Sequence, residues 1–227
     1  ENFEKFWVNG CPVQYCGKDN LRQQSAMWQA MLMSAKLPQT HNIVINGFIN
    51  SGGQKMYKSL GNVINPKDVV SEYGVDALRY YIARELSNFE DSDVTMERFK
   101  ESYNGNLANG LGNLVSRIMK MAQDNLESPV KIADFENMSK YFDLLNKFEI
   151  NKATDCIWLE IGEMDKFIQE NQPFKLIKTD KDAGEKMISS LVVRLNSVAE
   201  MLNCMMPDTA GKIKELIKSN KVPESPL

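Results

Sequence analysis

The sequence predicts two fold classes in succession, α/β over roughly the first 92 residues and all-α from residue 93 onward. Three observations predict this. Short β-like runs occur only in the first part, a single helical pattern separates two of them, and beyond residue 93 apolar residues step by three and four along successive helices.

The segment VQYC at 13–16 and the alternating NIVINGF at 42–48 are the strand candidates. Between them Leu21, Met27, Trp28, Met31, Leu32 and Ala35 recur on one helical face, with Asp19 placed to cap the helix and Pro38 to stop it. Strand, helix and strand in that order predict a parallel βαβ unit, whose strand C-terminal ends form the usual ligand edge. Both GKD at 17–19 and a lysine-bearing loop at 52–66 fall on that edge. Two helices follow in PKDVVSEYGVDALRYYIAREL, the second built on Val75, Leu78, Tyr81, Ile82 and Leu86.

In the second part Leu107, Leu111, Leu114, Ile118 and Met121 define a first bundle helix. A second carries Ala153, Ile157, Ile161, Met164 and Ile168; a third carries Ile188, Leu191, Leu195, Val198 and Leu202. A short fourth, after Pro207 and Asp208, carries Ile213, Leu216 and Ile217. Antiparallel packing of these stripes makes an all-α domain. Gly105, Gly110 and Gly112 cost the first helix about 1 kcal/mol each relative to alanine, and close approach of a neighbouring backbone is the expected reason. The tail KVPESPL is expected to fray.

Bulk properties exclude several functions. The chain has 227 residues, 43% of them hydrophobic, enough to bury a core, and a formal net charge of only -3, so any nucleic-acid contact must be a local patch. Cys11, Cys16, Cys156 and Cys204 lack CxxC spacing, and His41 is the sole histidine. No metal site is expected, and the thiols suit a reducing cytosol. No apolar run approaches the ~20 residues of a membrane span. An opening of ENFEKFW, without methionine, reads as part of a longer polypeptide.

The stretch GGQKMYKSLGNVINP at 52–66 sets Lys55 and Lys58 three positions apart in a segment rich in glycine. The spacing is not that of a P-loop. Lysines beside glycines also suit a plain solvated loop. Lys55, Met56, Tyr57, Lys58 and Ser59, followed by LGN, resemble the KMSKS signature of class I aminoacyl-tRNA synthetases, and GVDALRYY downstream strengthens the likeness. The resemblance implies ATP-dependent activation of an amino acid, with magnesium accompanying the ATP. In that chemistry Lys55 and Lys58 would meet the charge growing on departing pyrophosphate, and the glycines would let the loop swing. Tyr57 stands where the motif has serine.

Further stretches resemble the methionyl-tRNA synthetase family and cover nearly the whole chain. GKDNLRQQSAMWQAMLM at 17–33 is similar to a family pattern in which Gly17 and Asp19 would lie against the ATP ribose. Trp28 would line the methionine pocket, where a thioether gains from aromatic contact, and Gln24 stands where the family has a histidine that helps hold the amino acid. Read from the residues alone, Asp19 is a helix cap and Trp28 a core residue. NGFIN resembles a strand end whose next residue, here Ile49, offers backbone groups to adenine; Asn46 replaces the family's histidine.

GLGNLVSRIMKM is similar to a family segment that would turn Asn113 and Arg117 toward the anticodon, four apart on one helical face. ENQPFKL resembles the segment supplying a stacking platform, which makes Phe174 the candidate; a solvated face is the plainer reading of Asn113 and Arg117. MLNCMMPDTAGKIKEL looks like the family's closing helix pair, and Lys175, Lys178, Lys212 and Lys214 are candidate phosphate contacts.

The resemblance therefore implies the C-terminal half of a class I Rossmann-like catalytic domain over residues 1–92 and a helical anticodon-binding domain over 93–227. It implies methionine, ATP and tRNA(Met) as partners, a cytoplasmic setting, and no membrane. The second class I signature, HIGH, is missing, so the N-terminal half of the same enzyme is an expected partner and the chain alone is expected to be inactive. Two other readings remain: a class I ligase for leucine, isoleucine, valine or cysteine, and a non-catalytic tRNA-binding module.

Overall fold

The structure, a computed structural model, describes residues 1–132 and 138–224, and for Lys58 the backbone alone. The last three residues of the tail expected to fray, and the side chain of Lys58, lie outside the described residues. The chain divides into two compact units, Glu1–Ile64 with Leu86–Thr95, and Asn65–Glu85 with Met96–Leu227. Residues 65–85, which precede the expected boundary at 92, group by contacts with the helices that follow.

In the first unit β1 (Val13–Gly17) and β2 (Asn42–Asn46) pair in parallel, Val13 opposite Asn42 and Gly17 opposite Asn46. Val44 of β2 is buried. That helix begins as a 3-10 turn over Lys18–Asn20, winds as a π-helix over Gln23–Met27 and ends as α1 (Trp28–Ser34). Asp19 does not cap it: Gly17 holds the cap position without a side-chain bond, and Asp19 already lies inside the first turn. There its charge still complements the helix dipole. Lys36, at φ 57°, terminates the helix before Pro38.

The expected apolar face of this helix is not covered. Only Leu32 is buried, while Leu21, Met27, Trp28, Met31 and Met33 are exposed, as are Phe3 and Phe6 near the start of the chain. Most of the residues grouped by periodicity are thus exposed, and Trp28 meets the Trp7 ring edge-on.

A second sheet has the order β4–β3–β5, from β3 (Ile49–Ser51), β4 (Gln54–Lys55) and β5 (Ser92–Asp93). β3 and β4 are antiparallel, with Asn50 opposite Lys55, and β5 runs parallel to β3. Gly52 and Gly53, at φ 61° and 74°, form the two-residue turn, which demands positive φ twice. Gly47 is required for a different reason, since a Cβ there would sit 2.1 Å from the Glu90 carbonyl oxygen.

The second unit is helical. α2 (Pro66–Tyr73) starts with the Asn65 side chain accepting from the Lys67 N–H and Pro66 in the first turn. α3 (Val75–Arg84) buries Ala77, Tyr80 and Tyr81 but exposes Val75 and Ile82, so its inward face is rotated from the expected stripe. Asp76 accepts from the Thr209 N–H at 2.7 Å, and Arg79 donates to the carbonyls of Met205 and Cys204 at 2.6 and 2.8 Å. These bonds explain why the GVDALRYY stretch folds with the helical unit.

A long helix follows, α4 (Met96–Ser102) passing through a π-wound stretch over Tyr103–Gly112 into α5 (Asn113–Asn125). The glycines here do not admit a neighbouring backbone. Cβ atoms at Gly110 and Gly112 would crowd the carbonyls of Gly105 and Leu107, five residues earlier in the same helix, and Gly105 has open space. α6 (Ser139–Asn146), α7 (Ile150–Asn171), α8 (Pro173–Leu176), α9 (Lys181–Leu202) and α10 (Pro207–Ser219) complete the unit. α9 packs against α5, α7 and α10. Ile118, Ile157, Leu195 and Leu202 are fully buried between them, each worth about 1.5–3 kcal/mol of transfer free energy. Among the described residues no helix is long and apolar enough to cross a membrane, and all four cysteines are unpaired.

Candidate functional site

Two regions hold the residues singled out from the sequence, one in each unit. In the first, the parallel register brings the C-terminal ends of β1 and β2 level, so that Gly17 and Asn46 face each other where both strands stop. Asp19 lies two residues beyond, its Oδ1 2.7 Å from where a Cβ at Gly17 would be, so glycine there leaves room for the carboxylate. Asn46 donates to the Asn88 carbonyl at 2.8 Å. Ile49 opens β3 and is exposed, and Lys55 is the last residue of β4.

The lysine loop is held by an asparagine. Asn62 donates to the Lys55 carbonyl at 3.2 Å and accepts from the Tyr57 N–H at 2.9 Å, bracing the residues between the two lysine positions through backbone groups. The Tyr57 side chain is exposed, so the departure from serine leaves this brace intact. Lys58 begins a 3-10 turn over Lys58–Leu60. Gly52 and Gly53 form a tight turn here, and the Gly53 N–H is held by Asp93 Oδ1 at 2.7 Å.

Sequence reasoning missed Lys18, Phe48 and Asp91. The Lys18 ammonium touches both Asp91 oxygens at 2.6 Å, and Asp91 Oδ1 also accepts from the Phe48 N–H at 2.7 Å. The Lys18 hydrogen bond, seconded by the Phe48 N–H, holds the Asp91 carboxyl below the usual carboxylate range. The Phe48 ring carries two cations, Lys18 at 4.6 Å and Lys55 at 4.3 Å from its centroid. The closely spaced carboxylates at 91 and 93 were the available signal, hidden by a sequence separation of 73 residues between Lys18 and Asp91.

Gln24 lies half-buried in the π-wound turn, one helical turn before Trp28. Trp28 is not a core residue; it remains 36% exposed and meets the Trp7 ring edge-on at 6.4 Å. Gln24 and Trp28 share a helix.

In the second unit Asn113 and Arg117 project from the exposed face of α5, beside its buried Leu114 and Ile118. They line a cavity of about 410 Å³ together with Asn109, Ile161 and Asp165. Arg117 forms an ion pair with Asp165 of α7, and Gln169 donates to the other Asp165 oxygen at 2.7 Å. Asp165 and Gln169 had no sequence signal beyond lying four apart on α7. Phe174 does not line this cavity. It is 44% exposed on α8, just past a left-handed Gln172 that breaks α7 from α8, with the Lys175 ammonium 5.9 Å from its ring. Of the other lysines, Lys214 is engaged with Glu200 at 2.7 Å, while Lys178 and Lys212 are exposed.

Comparison with known proteins adds the following. The family model described as tRNA synthetases class I (M) matches residues 1–119. The chain is 34% identical to a methionine-tRNA ligase of Fusobacterium nucleatum over 96% of its own length and 37% of the relative's, and 32% identical to that of Thermotoga maritima over 98% and 37%. It thus spans well under half the length of these curated relatives. Among solved structures it is similar to Mycobacterium tuberculosis methionyl-tRNA synthetase in complex with methionyl-adenylate, with a TM-score of 0.77 and 30% identity over 90% of this chain and 43% of that one. The apo form of the same enzyme matches with a TM-score of 0.77 at 26% identity.

Proposed function

The chain belongs to the class I (M) family of tRNA synthetases, and from that premise we propose that it is the C-terminal part of an enzyme that activates methionine with ATP and transfers it to tRNA(Met). On this reading residues 1–92 complete the nucleotide-binding half of a Rossmann-like catalytic domain, and residues 93–227 form the anticodon-binding bundle. The observation that supports the proposal is that β1 and β2 end level at Gly17 and Asn46, with Asp19 beside Gly17, and that Lys18, next to Gly17, and Lys55 of the lysine loop both lie over the ring of Phe48, two residues beyond Asn46 at the usual ligand edge of a parallel sheet.

The chemistry follows from those positions. The methionine carboxylate attacks the α-phosphorus of ATP, pyrophosphate departs, and negative charge accumulates on its oxygens. The Asp19 carboxylate accepts from a ribose hydroxyl, and the backbone of Ile49 meets adenine. Lys55 and Lys58 oppose the growing charge, accelerating the step to the extent that they bind it better than bound ATP. Magnesium arrives with the triphosphate as part of the substrate. Gln24 and Trp28 face the amino acid; the amide hydrogen-bonds but carries no proton. Asn113, Arg117 and Phe174 receive unpaired anticodon bases by hydrogen bonding and stacking. A cytoplasmic setting suits these substrates.

The exposed apolar residues of the helix after β1 support a further part of the enzyme packing there, because a clustered exposed apolar patch marks an interaction surface. ATP–pyrophosphate exchange tests the proposal. The 227-residue chain alone should show no methionine-dependent exchange, and a complete enzyme containing it should show exchange with methionine in preference to leucine, isoleucine, valine and cysteine. Turnover by the chain alone, or another preferred amino acid, overturns it.

A further inference from the structure

The lysine loop ends on an aromatic ring. Phe48 lies between Gly47, which must be glycine to pass the Glu90 carbonyl, and Ile49, which opens β3. Its backbone is gripped on both sides of the peptide chain, the N–H by Asp91 Oδ1 at 2.7 Å and the carbonyl oxygen by the Ser92 N–H at 2.9 Å. A half-buried ring held this firmly is a fixed surface, and two ammonium groups lie over it within 5 Å.

The two cations differ in what else holds them. Lys18 is neutralised by Asp91, whose carboxylate fixes it independently of the ring. Lys55 pairs with no carboxylate among the described residues, and the ring is the one partner its ammonium is shown to meet. An aromatic face attracts an ammonium through its quadrupole. Such a contact uses one side of the group and leaves the remaining N–H donors pointing outward. A long lysine side chain otherwise loses rotamer freedom when it binds, so a seat that orders it beforehand reduces that loss.

The geometry points to Phe48 as a positioning residue for Lys55: its ring seats the ammonium at the strand-end edge before the triphosphate arrives, with outward donors left for phosphate oxygens. This rests on the reading of Lys55 as a phosphate-binding group. Asp91 acts through both partners, fixing the ring by its backbone and keeping Lys18 from depending on the same face.

The test separates the seat from the phosphate chemistry. Lysines of the 227-residue chain are reductively methylated with ¹³C, and the Lys55 signal is assigned by its disappearance in Lys55→Arg. In the unsubstituted chain that signal should be displaced upfield by the ring current. It should relax to the position of an exposed lysine in Phe48→Leu and stay displaced in Phe48→Trp, which keeps a π face and guards against misfolding as the cause. A Lys55 signal at the exposed position in the unsubstituted chain, or one untouched by Phe48→Leu, overturns the seat.

Inorganic tripolyphosphate then probes the consequence by titration calorimetry. Phe48→Leu should weaken its binding about two- to fivefold, as expected for an exposed cation–π contact. In a Lys55→Gln background the same substitution should change nothing. An equal loss in both backgrounds, or tighter binding in Phe48→Leu, overturns the proposal. If Lys55→Gln alone leaves tripolyphosphate binding intact, the phosphate role under the proposed function falls, while the resonance measurement still decides whether the ring seats the lysine.

Discussion

Replacing Asp165 by asparagine isolates what the guanidinium of Arg117 does. In the structure that guanidinium is paired with Asp165 across the cavity it shares with Asn113, so on the proposed function an incoming base or phosphate competes with a carboxylate for it. The pair is partly exposed, 43% on the arginine side chain and 37% on the aspartate, which places its worth near 0.2–1 kcal/mol. Asparagine keeps an acceptor for Gln169, so the change should lower the unfolding midpoint by no more than about 4 °C. Freed of its competitor, Arg117 should bind tRNA bearing a CAU anticodon more tightly, by at most about fivefold. Filter binding at two stated salt concentrations measures this. Arg117→Ala should weaken discrimination between CAU and altered anticodons, and in that background Asp165→Asn should give no comparable gain. An equal gain with and without Arg117 would mean that only the lost negative charge mattered, and the assignment of Arg117 as the base-reading group would fall.

Three further outcomes are expected. Lys58→Ala in a complete enzyme should lower turnover by about 100- to 1000-fold with little change in ATP affinity, in line with loss of one transition-state donor; stopped-flow adenylate formation separates the two, and equal losses would indicate ordinary ground-state binding. Asn62→Ala removes the brace between the Lys55 carbonyl and the Tyr57 N–H, so protease cleavage within 55–62 should accelerate while the helical unit keeps its melting behaviour. Tyr141, 2% exposed, donates to the Met201 carbonyl at 2.7 Å, and burial pushes its pKa well above the ordinary tyrosine value. Its contribution is complete below about pH 10 and is lost as pH climbs toward the raised folded value. Tyr141→Phe should therefore cost about 1 kcal/mol in urea denaturation at pH 7 and flatten the alkaline fall in stability.

How much of this was legible depended on whether a residue acts through its neighbours along the chain or across it. The stripes of α7 and α9 were read correctly because Ile157, Ile161, Leu191 and Leu195 are buried by helices of the same unit. The helix carrying Met27, Trp28 and Met31 shows the same periodicity and is exposed. Period reports which residues share a face and is silent on what covers it. The partners of the charged groups were not legible at all. Arg117 finds Asp165 48 residues away, and Lys18 finds Asp91 73 residues away, because helix packing and a β crossover bring them together. Gly52 and Gly53 were read as a hinge, yet both adopt the positive φ that a two-residue hairpin turn requires, which is reason enough for glycine at each.

The lysine loop shows why one departure from a motif is tolerated where another would not be. Position 57 enters the brace only through its N–H, which tyrosine supplies as well as serine does, whereas position 62 enters through a side chain that must both donate and accept. A motif written as letters weights the two positions alike. Physically, substitution at 57 leaves these two hydrogen bonds in place, and at 62 any side chain that cannot both donate and accept breaks at least one of them. Lys55 depends on both arrangements: its carbonyl is held by Asn62, and its ammonium is met by a ring seven residues earlier, on the far side of the glycine turn. The turn, the asparagine and the ring therefore act on one residue, Lys55, through its backbone and its ammonium, so the first half of the KMSKS-like segment is a braced hairpin end rather than a free tether.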